Sequence, residues 1–319
     1  MNNQKLKRNI LIAVVVLCLI FVAVTGAGFG KIITSSIITT DTTDAPDESF
    51  AIINIKGTIQ GGNEGSARIG YDHDATMDYI DSLMNDDGNK GIFLDVDSGG
   101  GTVYHSDEMY LKLLEYKEKT GRPVHAYFNN TAASGAYYIS CAADYISANK
   151  HCWTGSIGVI ISTTNYSGLF EKLGISEILI TSGDNKGMGS AGSEMTDEHR
   201  AIYQSIVDES YEEFAAIVAE SRGYSDSRVR EIADGRVYTA KQALEIDLID
   251  GINSYDEAIA YMEEVSGAEG YYKQLYTPTP WEELMADVEA VMPKSDMEIA
   301  SELVTSQLNG VPLYMHINQ

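Results

Sequence analysis

Short apolar runs alternate with amphipathic segments along most of the chain. Apolar runs typical of buried strands lie at 50–59, 91–98 and 123–128. Between them, apolar residues recur at helical spacing over 75–87 and 103–121. Strands that alternate with helices usually form a sheet of parallel strands, so this order predicts an α/β core.

The alternation continues beyond residue 128, and the chain becomes mainly helical after residue 194. Added helices are therefore expected to pack outside the α/β core. The pattern predicts strands at 145–152, 155–161 and 176–183, and helices at 131–143, 166–174, 194–223, 227–235 and 255–267.

An uncharged apolar run occupies residues 10–30 and follows Lys5, Lys7 and Arg8. A run of about 20 residues is long enough to cross a bilayer as a helix, and basic residues before it favour a cytoplasmic N-terminus. We therefore expect a single-pass anchor in the cell membrane with the rest of the chain extracytoplasmic. A cleaved secretory signal is the alternative, but the length of the run favours the anchor.

This anchor divides the chain into regions. The pattern predicts a cytoplasmic N-terminus at 1–9, an anchor at 10–30, a linker at 31–47, a folded domain at 48–267 and a tail at 268–319.

The formal net charge of −25 argues against nucleic acid as a partner and against an anionic lipid surface as a partner of the main domain. Cysteine usage leaves two alternatives open. Cys141 and Cys152 form a disulfide in an oxidising compartment, or both are buried free thiols.

Ser134 lies within "TAASGAYYISCAAD" (131–144), at the expected start of a helix. The backbone N–H groups there have no partner within the helix, and the helix dipole is positive at that end. Two interpretations are open for Ser134: a helix-capping serine or a nucleophile.

Three glycines in "DSGGGTV" (97–103) follow a predicted strand and precede a predicted helix. The segment fits neither the phosphate-loop spacing nor G-x-G-x-x-G. It is either a flexible turn or a loop that presents backbone N–H groups to an oxyanion.

A nucleophilic serine needs a base. His125 and His151 flank Ser134 in sequence but carry no distinctive motif, whereas Lys186 follows a predicted buried strand in a glycine-rich segment. Lysine acts as a base near neutral pH only where desolvation lowers its pKa. Two hydroxyls, Thr154 and Ser156, are candidates to hold its amine.

Together these segments resemble the signal peptide peptidase A family, which uses a Ser–Lys dyad. The nucleophile motif A-A-S-G-G-Y-Y-[IL]-[AS] is matched within 131–144, and T-G-S-[IL]-G-V is matched at 154–160. The lysine motif [IK]-x-S-G-x-x-K-D aligns with 180–187, and D-S-P-G-G-x-V aligns with 97–103. A further family block resembles 233–252.

The resemblance implies a ClpP/crotonase-like fold of repeated β-β-α units and a role for each matched residue. Ser134 would be the nucleophile, Lys186 the general base and Ser156 the group that orients the lysine. The N–H groups of Gly101 and Gly135 would form the oxyanion hole. The chain departs from the family motifs at Gly99, Thr102, Ala136 and Gly187.

The resemblance also implies substrates and partners. The family degrades remnant signal peptides and other apolar peptides, needs no cofactor or metal, and forms homo-oligomeric rings whose neighbouring subunits help build the groove. The tail at 268–319 is expected to dock on its own or a neighbouring subunit. Two alternatives are a crotonase-type acyl-CoA enzyme and a non-catalytic membrane scaffold.

Overall fold

The computed structural model describes residues 48–61, 71–273 and 313–315. The anchor expected at 10–30 and the linker expected at 31–47 lie outside these residues, and both stay predictions. Among the described residues, none of the helices combines the length and apolar character that a membrane span needs.

The described part contains an α/β fold. Its strands are β1 Ser49–Ile59, β2 Asn89–Thr102, β3 Val124–Ala133, β4 Tyr145–Ala148, β5 Trp153–Gly155, β6 Val237–Thr239, β7 Gly251–Ile252, β8 Gly270–Lys273 and β9 Leu313–Met315. Its helices are α1 His73–Met84, α2 Val103–Thr120, α3 Gly135–Ser140, α4 Ser167–Leu173, α5 Asp197–Arg222, α6 Asp226–Ile232, α7 Ala240–Glu245 and α8 Tyr255–Ser266.

The described strands form one sheet in which parallel pairing dominates. Its main path runs β6-β5-β3-β2-β1-β8, with β4 and β7 continuing from β3. The antiparallel pairs among these strands are β5 with β6 and β2 with β9. The α/β class and the parallel sheet predicted from the sequence are thus confirmed, whereas the assignment to the ClpP/crotonase type stays a prediction.

Both faces of the sheet carry helices, as expected for parallel strands. Helices α1 to α3 contact β1 and β2, while α8 contacts β1, β2 and β3. Beneath α8 lies a cluster of buried apolar side chains: Phe50, Ile52, Phe93, Tyr127, Ala258, Ile259 and Met262. Strand alternation places Phe50 and Ile52 on the same face, which explains why both reach this cluster.

Helix α2 has well-defined capping contacts at both ends. It begins after Thr102, whose hydroxyl accepts a hydrogen bond from the N–H of His105 at 3.3 Å. It ends at Gly121, which has φ 68° and whose N–H bonds to the carbonyl of Lys117. Both ends have residues that commonly cap helices, a threonine at the start and a glycine at the end.

Several predicted elements differ from the observed ones. Strands β2 and β3 run past the ends expected at residues 98 and 128, to Thr102 and Ala133, and the strand expected at 145–152 ends at Ala148. The helix expected at 131–143 is shorter, because β3 runs to Ala133 and α3 covers only Gly135–Ser140. The strand expected at 155–161 ends at Gly155. The strand expected at 176–183 is irregular, exposed backbone. It does not pair with the sheet, although its apolar side chains resemble those of a buried strand.

His125 lies on β3 and is buried. Its Nε2 is 2.8 Å from the Oγ of Ser147, and its ring packs edge-on against Phe93, Tyr145 and Tyr261. Burial lowers the pKa of His125 to about 4, although the charge of Asp250 opposes the shift. The folded state therefore favours neutral His125 far more than the unfolded state does.

This histidine predicts a defined loss of stability in acid. A group whose folded pKa is depressed contributes stability above its unfolded pKa of about 6.5 and loses it as pH falls towards the folded value. We expect His125 to cost roughly 3 kcal/mol of unfolding free energy between about pH 6.5 and pH 4. Urea unfolding across this range should show a shallower pH slope for His125→Phe combined with Ser147→Ala, which removes both partners. The exposed His151→Phe variant is the control, and an unchanged slope in the double variant would contradict this account.

Candidate active site

Ser134 forms the turn between β3 and α3. Its backbone has φ 56° and ψ −121°, a conformation that L-residues rarely adopt and that costs on the order of 1–3 kcal/mol. The surrounding chain holds it there: the N–H of Ser134 donates to the carbonyl of Gly155 at 2.8 Å, and its carbonyl accepts from the N–H of Tyr138 at 2.9 Å. A serine on a strained strand-to-helix turn is the arrangement that hydrolases use to present a nucleophile.

The side chain of Ser134 does not act as a helix cap. Its Oγ makes no capping hydrogen bond to α3. It is also fully buried and has no hydrogen-bond partner among the described residues. An unpaired buried hydroxyl costs about 1–3 kcal/mol, so a purely structural role for Ser134 is a poor account of this position. The helix-capping interpretation is therefore wrong, and the hydroxyl is available for another partner.

The glycines at 99–101 lie inside β2 and not in a turn, because β2 continues to Thr102 and α2 starts at the next residue. A Cβ on Gly101 would lie 1.8 Å from the carbonyl oxygen of Ile59 on β1, so only glycine fits there. Ser98 lies opposite Ala132 of β3. Beyond this pair β2 no longer has β3 as a neighbour, although Gly101 still pairs with Ile59 of β1, and Ser134 directly follows the end of β3.

The segment after β5 is tied to the nucleophile turn. The hydroxyl of Thr154 donates to the carbonyl of Ala132 at 2.6 Å, and the carbonyl of Gly155 accepts from Ser134. Ser156 follows with φ 49° and is buried, and its N–H donates to the carbonyl of Arg236 at 2.8 Å. The structure thus brings Ser156 and Ser134 to the same edge of the sheet.

A cavity of about 550 Å³ begins at Ser156. Apolar side chains from the following segment, from α5 and from the residue after α6 form much of its wall, and Asp208, Arg230 and Asp234 line the rest. The lining residues include Ile157, Val159, Ile160, Val207, Tyr211 and Ala233. Its size and composition suit an apolar side chain of a bound peptide.

Lys186 occupies a different environment from the other predicted site residues. It is exposed, in a turn in which its N–H donates to the carbonyl of Gly183 at 3.1 Å. No described residue is hydrogen-bonded to the Oγ of Ser134, so this subunit does not join the two predicted dyad members. The two flanking histidines do not replace Lys186: His125 bonds to Ser147, and His151 is exposed.

A polar network beside Gly101 was not singled out from the sequence. Thr102 and His105 are joined through their side chains, and His105 packs against His73, which bonds to Glu108. The spacing of Thr102 and His105 is that of a helix N-cap and its third residue, which is the signal that could have pointed to their contact. Glu108 lies on the same helix as His105, but His73 comes from α1, so the sequence order alone does not bring His73 to the network.

Comparison with known proteins settles the family. The model of peptidase family S49 matches residues 116–269, which include Ser134, Ser156 and Lys186. The chain belongs to peptidase family S49.

Members of this family share substantial identity with the chain. A putative signal peptide peptidase SppA of Enterococcus faecium is 37% identical over 217 residues, which are 67% of this chain and 63% of that protein. Protease 4 of Haemophilus influenzae is 31% identical and covers 68% of this chain and 34% of its own length. The chloroplastic serine protease SPPA of Arabidopsis thaliana is 30% identical. The matched region covers 66% of this chain and 30% of that protein. The chain therefore spans less than two thirds of the length of each of these relatives.

The resemblance to signal peptide peptidase A that the motifs predict is confirmed by these relatives. The same comparisons favour a serine peptidase over the acyl-CoA alternative, because every one of these relatives is named as a peptidase or protease.

The strained backbone at Ser134 predicts that a residue other than glycine at this position lowers the stability of the folded protein. Ser134→Gly and Ser134→Ala both remove the hydroxyl, but only glycine adopts φ 56° without strain. We expect Ser134→Gly to be about 1 kcal/mol more stable than Ser134→Ala, after allowing for the greater unfolded-state freedom of glycine. Urea unfolding of the two variants measures this difference. Equal stabilities would show that the turn is not strained.

Proposed function

We propose that the protein is a serine endopeptidase with Ser134 as its nucleophile. The observation that carries this proposal is the buried, unpartnered hydroxyl of Ser134 on a strained strand-to-helix turn. Family membership supports it, because the family consists of peptidases.

In the proposed mechanism, neutral Lys186 accepts the proton of the Ser134 hydroxyl as Oγ attacks a peptide carbonyl carbon. The carbonyl oxygen becomes an oxyanion that accepts hydrogen bonds from the N–H groups of Gly101 and Gly135, worth about 3 kcal/mol per donor. The intermediate collapses to an acyl-enzyme as Lys186 gives the proton to the leaving amine. Water then releases the acyl group, with Lys186 again as base. Ser156 orients the lysine amine, and no step requires a metal or cofactor.

We propose further that the dyad is completed by a second copy of the chain. Lys186 is exposed, and the segment before it carries apolar side chains that face solvent in one subunit. Ile178 and Ile180 are 82% and 96% exposed. Neighbouring apolar side chains with this much exposure often mark a surface that another protein chain covers. A neighbouring subunit that covers this segment would desolvate Lys186, as a lysine base requires. Homo-oligomerisation is thus part of the proposed activity.

The proposed substrates are apolar peptides such as remnant signal peptides. The cavity that begins at Ser156 supports this class, because its wall is largely apolar next to the nucleophile turn. The anchor predicted at 10–30 would hold the catalytic domain on the extracytoplasmic side of the cell membrane, where such remnants are released. Membrane attachment and the substrate class are both parts of this proposal.

The position of the end of the tail supports a role for it in controlling substrate access to the candidate site. Strand β9, Leu313–Met315, pairs antiparallel with Gly100–Thr102 of β2. At this point β3 has already ended, so β9 occupies the side of β2 that faces the nucleophile turn. An extended substrate that approaches Gly101 would need the same strand edge. We propose that the end of the tail competes with substrate for this position.

The dyad predicts which residues activity depends on. Ser134→Ala and Lys186→Ala should each lower kcat for an apolar fluorogenic peptide by at least about 10⁴-fold, because each removes one half of the nucleophile–base unit. His151→Ala and His125→Ala should retain activity. A fluorophosphonate probe should label wild type but not Ser134→Ala. Retained cleavage by Lys186→Ala would exclude the dyad.

Mixed oligomers test where the lysine comes from. Ser134→Ala and Lys186→Ala chains with different tags are co-expressed and purified through both tags. If Lys186 acts on the serine of a neighbour, the mixture regains part of the wild-type activity, because intact Ser134 meets intact Lys186 at shared sites. Mixtures as inactive as the separate variants would show that the lysine acts within its own subunit.

The position of β9 predicts that the tail is a competitive inhibitor. Deleting residues 310–319 removes β9 and keeps β8, and it should lower KM for a peptide several-fold while kcat is unchanged. Deleting only 316–319 retains β9 and is the matched control. Identical KM values for wild type and both deletions would remove the tail from the site.

A further inference from the structure

The end of β2 is fixed through a side-chain contact that the mechanism above does not use. The Oγ1 of Thr102, one residue after Gly101, lies 2.5 Å from the Nδ1 of His105. The same oxygen accepts the backbone N–H of His105 at 3.3 Å. A hydroxyl can accept one hydrogen bond and donate its own proton to another group, so the Thr102 hydroxyl can also donate to Nδ1. The geometry therefore fits a neutral His105 that accepts at Nδ1.

The ring of His105 is held on several sides. Its centroid is 4.7 Å from that of His73 and 4.9 Å from that of Tyr104. Its Nε2 would lie 2.6 Å from a Cβ placed on Gly61, so the ring packs closely against the backbone just after β1. His105 thus touches the chain beyond β1 and the end of β2 at once.

His73 is itself fixed by a second layer of polar contacts. It is buried, with Nδ1 2.9 Å from the hydroxyl of Tyr71 and Nε2 2.8 Å from Glu108. The hydroxyl of Tyr104 donates to the other oxygen of Glu108 at 2.9 Å. Burial alone would raise the pKa of Glu108, but the bonds from His73 and Tyr104 outweigh it and lower that pKa. Glu108 therefore stays charged and anchors the network.

The surroundings of His105 favour its neutral form, mainly through burial. Burial and the neighbouring His73 lower the pKa of His105, while Glu108 and Asp74 act in the opposite direction. This agrees with the role of Nδ1 as an acceptor from Thr102.

We propose that His105 is a positioning residue that acts through Thr102 to fix the end of β2 from which Gly101 directs its N–H at the oxyanion. The inference rests on the proposed function, because it assigns a support to the oxyanion donor. This strand end has fewer backbone neighbours than the middle of β2: Gly101 pairs with Ile59 of β1, but β3 has ended on the other side, and β9 belongs to the tail that substrate would displace. Once the tail has left, Gly101 keeps its pairing with Ile59 of β1, and the contact from His105 to Thr102 fixes the residue that follows Gly101.

Small displacements at this point are costly for catalysis. A shift of about 1 Å in a positioning group costs about 100-fold in rate, and the loss of one oxyanion donor costs about 10²- to 10³-fold in kcat. Misplacement of Gly101 would weaken binding of the transition state and leave binding of the ground state nearly unchanged. The signature of a lost positioning residue is therefore a fall in kcat with little change in KM.

Two substitutions at His105 separate positioning from packing. His105→Phe keeps a ring against His73 and Tyr104 but removes the acceptor for Thr102. His105→Asn removes the ring but places an amide oxygen near the position of Nδ1. The full-length chain is assayed with an apolar fluorogenic peptide, and its affinity for a peptide aldehyde, whose hemiacetal oxygen occupies the oxyanion hole, is measured in parallel. Thermal unfolding is recorded for each variant.

We expect His105→Phe to lower kcat by about 10- to 100-fold with KM within about twofold of wild type, and to weaken aldehyde binding by a similar factor. His105→Asn should recover most of kcat despite a lower unfolding temperature. Thr102→Val should lose kcat to the same extent as His105→Phe, and the double variant should lose no more than either alone, because both remove one contact. His151→Phe is the surface control and should behave as wild type.

The opposite pattern would overturn the inference: His105→Phe with wild-type kcat, or additive losses from His105→Phe and Thr102→Val. A wild-type chain that shows no Ser134-dependent cleavage would instead overturn the proposed function together with this inference. The two failures are distinguished by whether wild type cleaves the peptide at all.

Discussion

The hydrogen bond from the N–H of Ser134 to the carbonyl of Gly155 is the contact on which the candidate site depends. It holds an L-residue in a backbone conformation that it would otherwise leave, and it joins the nucleophile turn to the segment that carries Ser156. Thr154 reinforces the joint one residue earlier through its bond to Ala132. Because both bonds tie the end of β3 to β5, they fix the nucleophile turn relative to Ser156.

The parallel sheet explains why these parts meet. Parallel strands end at the same edge. The pairing of β2 with β3 ends there at Ser98 and Ala132, and Gly101 and Ser134 follow a few residues later. Close packing then limits what each position can hold: the carbonyl of Ile59 excludes any side chain at Gly101. The site is therefore built from backbone groups whose positions follow from strand register, with few side chains added to them. This is the arrangement that oxyanion stabilisation needs, because N–H donors held by a sheet require no rearrangement during the reaction.

The sequence predicted the fold class and the presence of β1, β2 and β3, because apolar periodicity is a local signal, but it ended β2 and β3 too early. The same local signal placed α2 between Thr102 and Gly121. The prediction of a buried strand at 176–183 was wrong, because these residues are exposed in the single chain. An apolar pattern indicates that a segment is buried. It does not indicate whether the segment is buried in its own sheet or against another chain. The strain at Ser134 and the contact between His105 and His73 depend on tertiary register, which no single-sequence pattern contains.

The exposed apolar segment before Lys186 has a consequence for how unwanted proteolysis in a cell would be limited. If the base reaches the serine only between subunits, a freshly made chain is latent, since it holds a nucleophile without its activator. Activity then rises with roughly the square or a higher power of local abundance, so sparse subunits do little harm to neighbouring proteins. Confinement of the subunits to a membrane plane would raise their local abundance and act as the trigger. Ile178 and Ile180, which look like a flaw in an isolated subunit, would then be what makes the peptidase respond to crowding among its own copies.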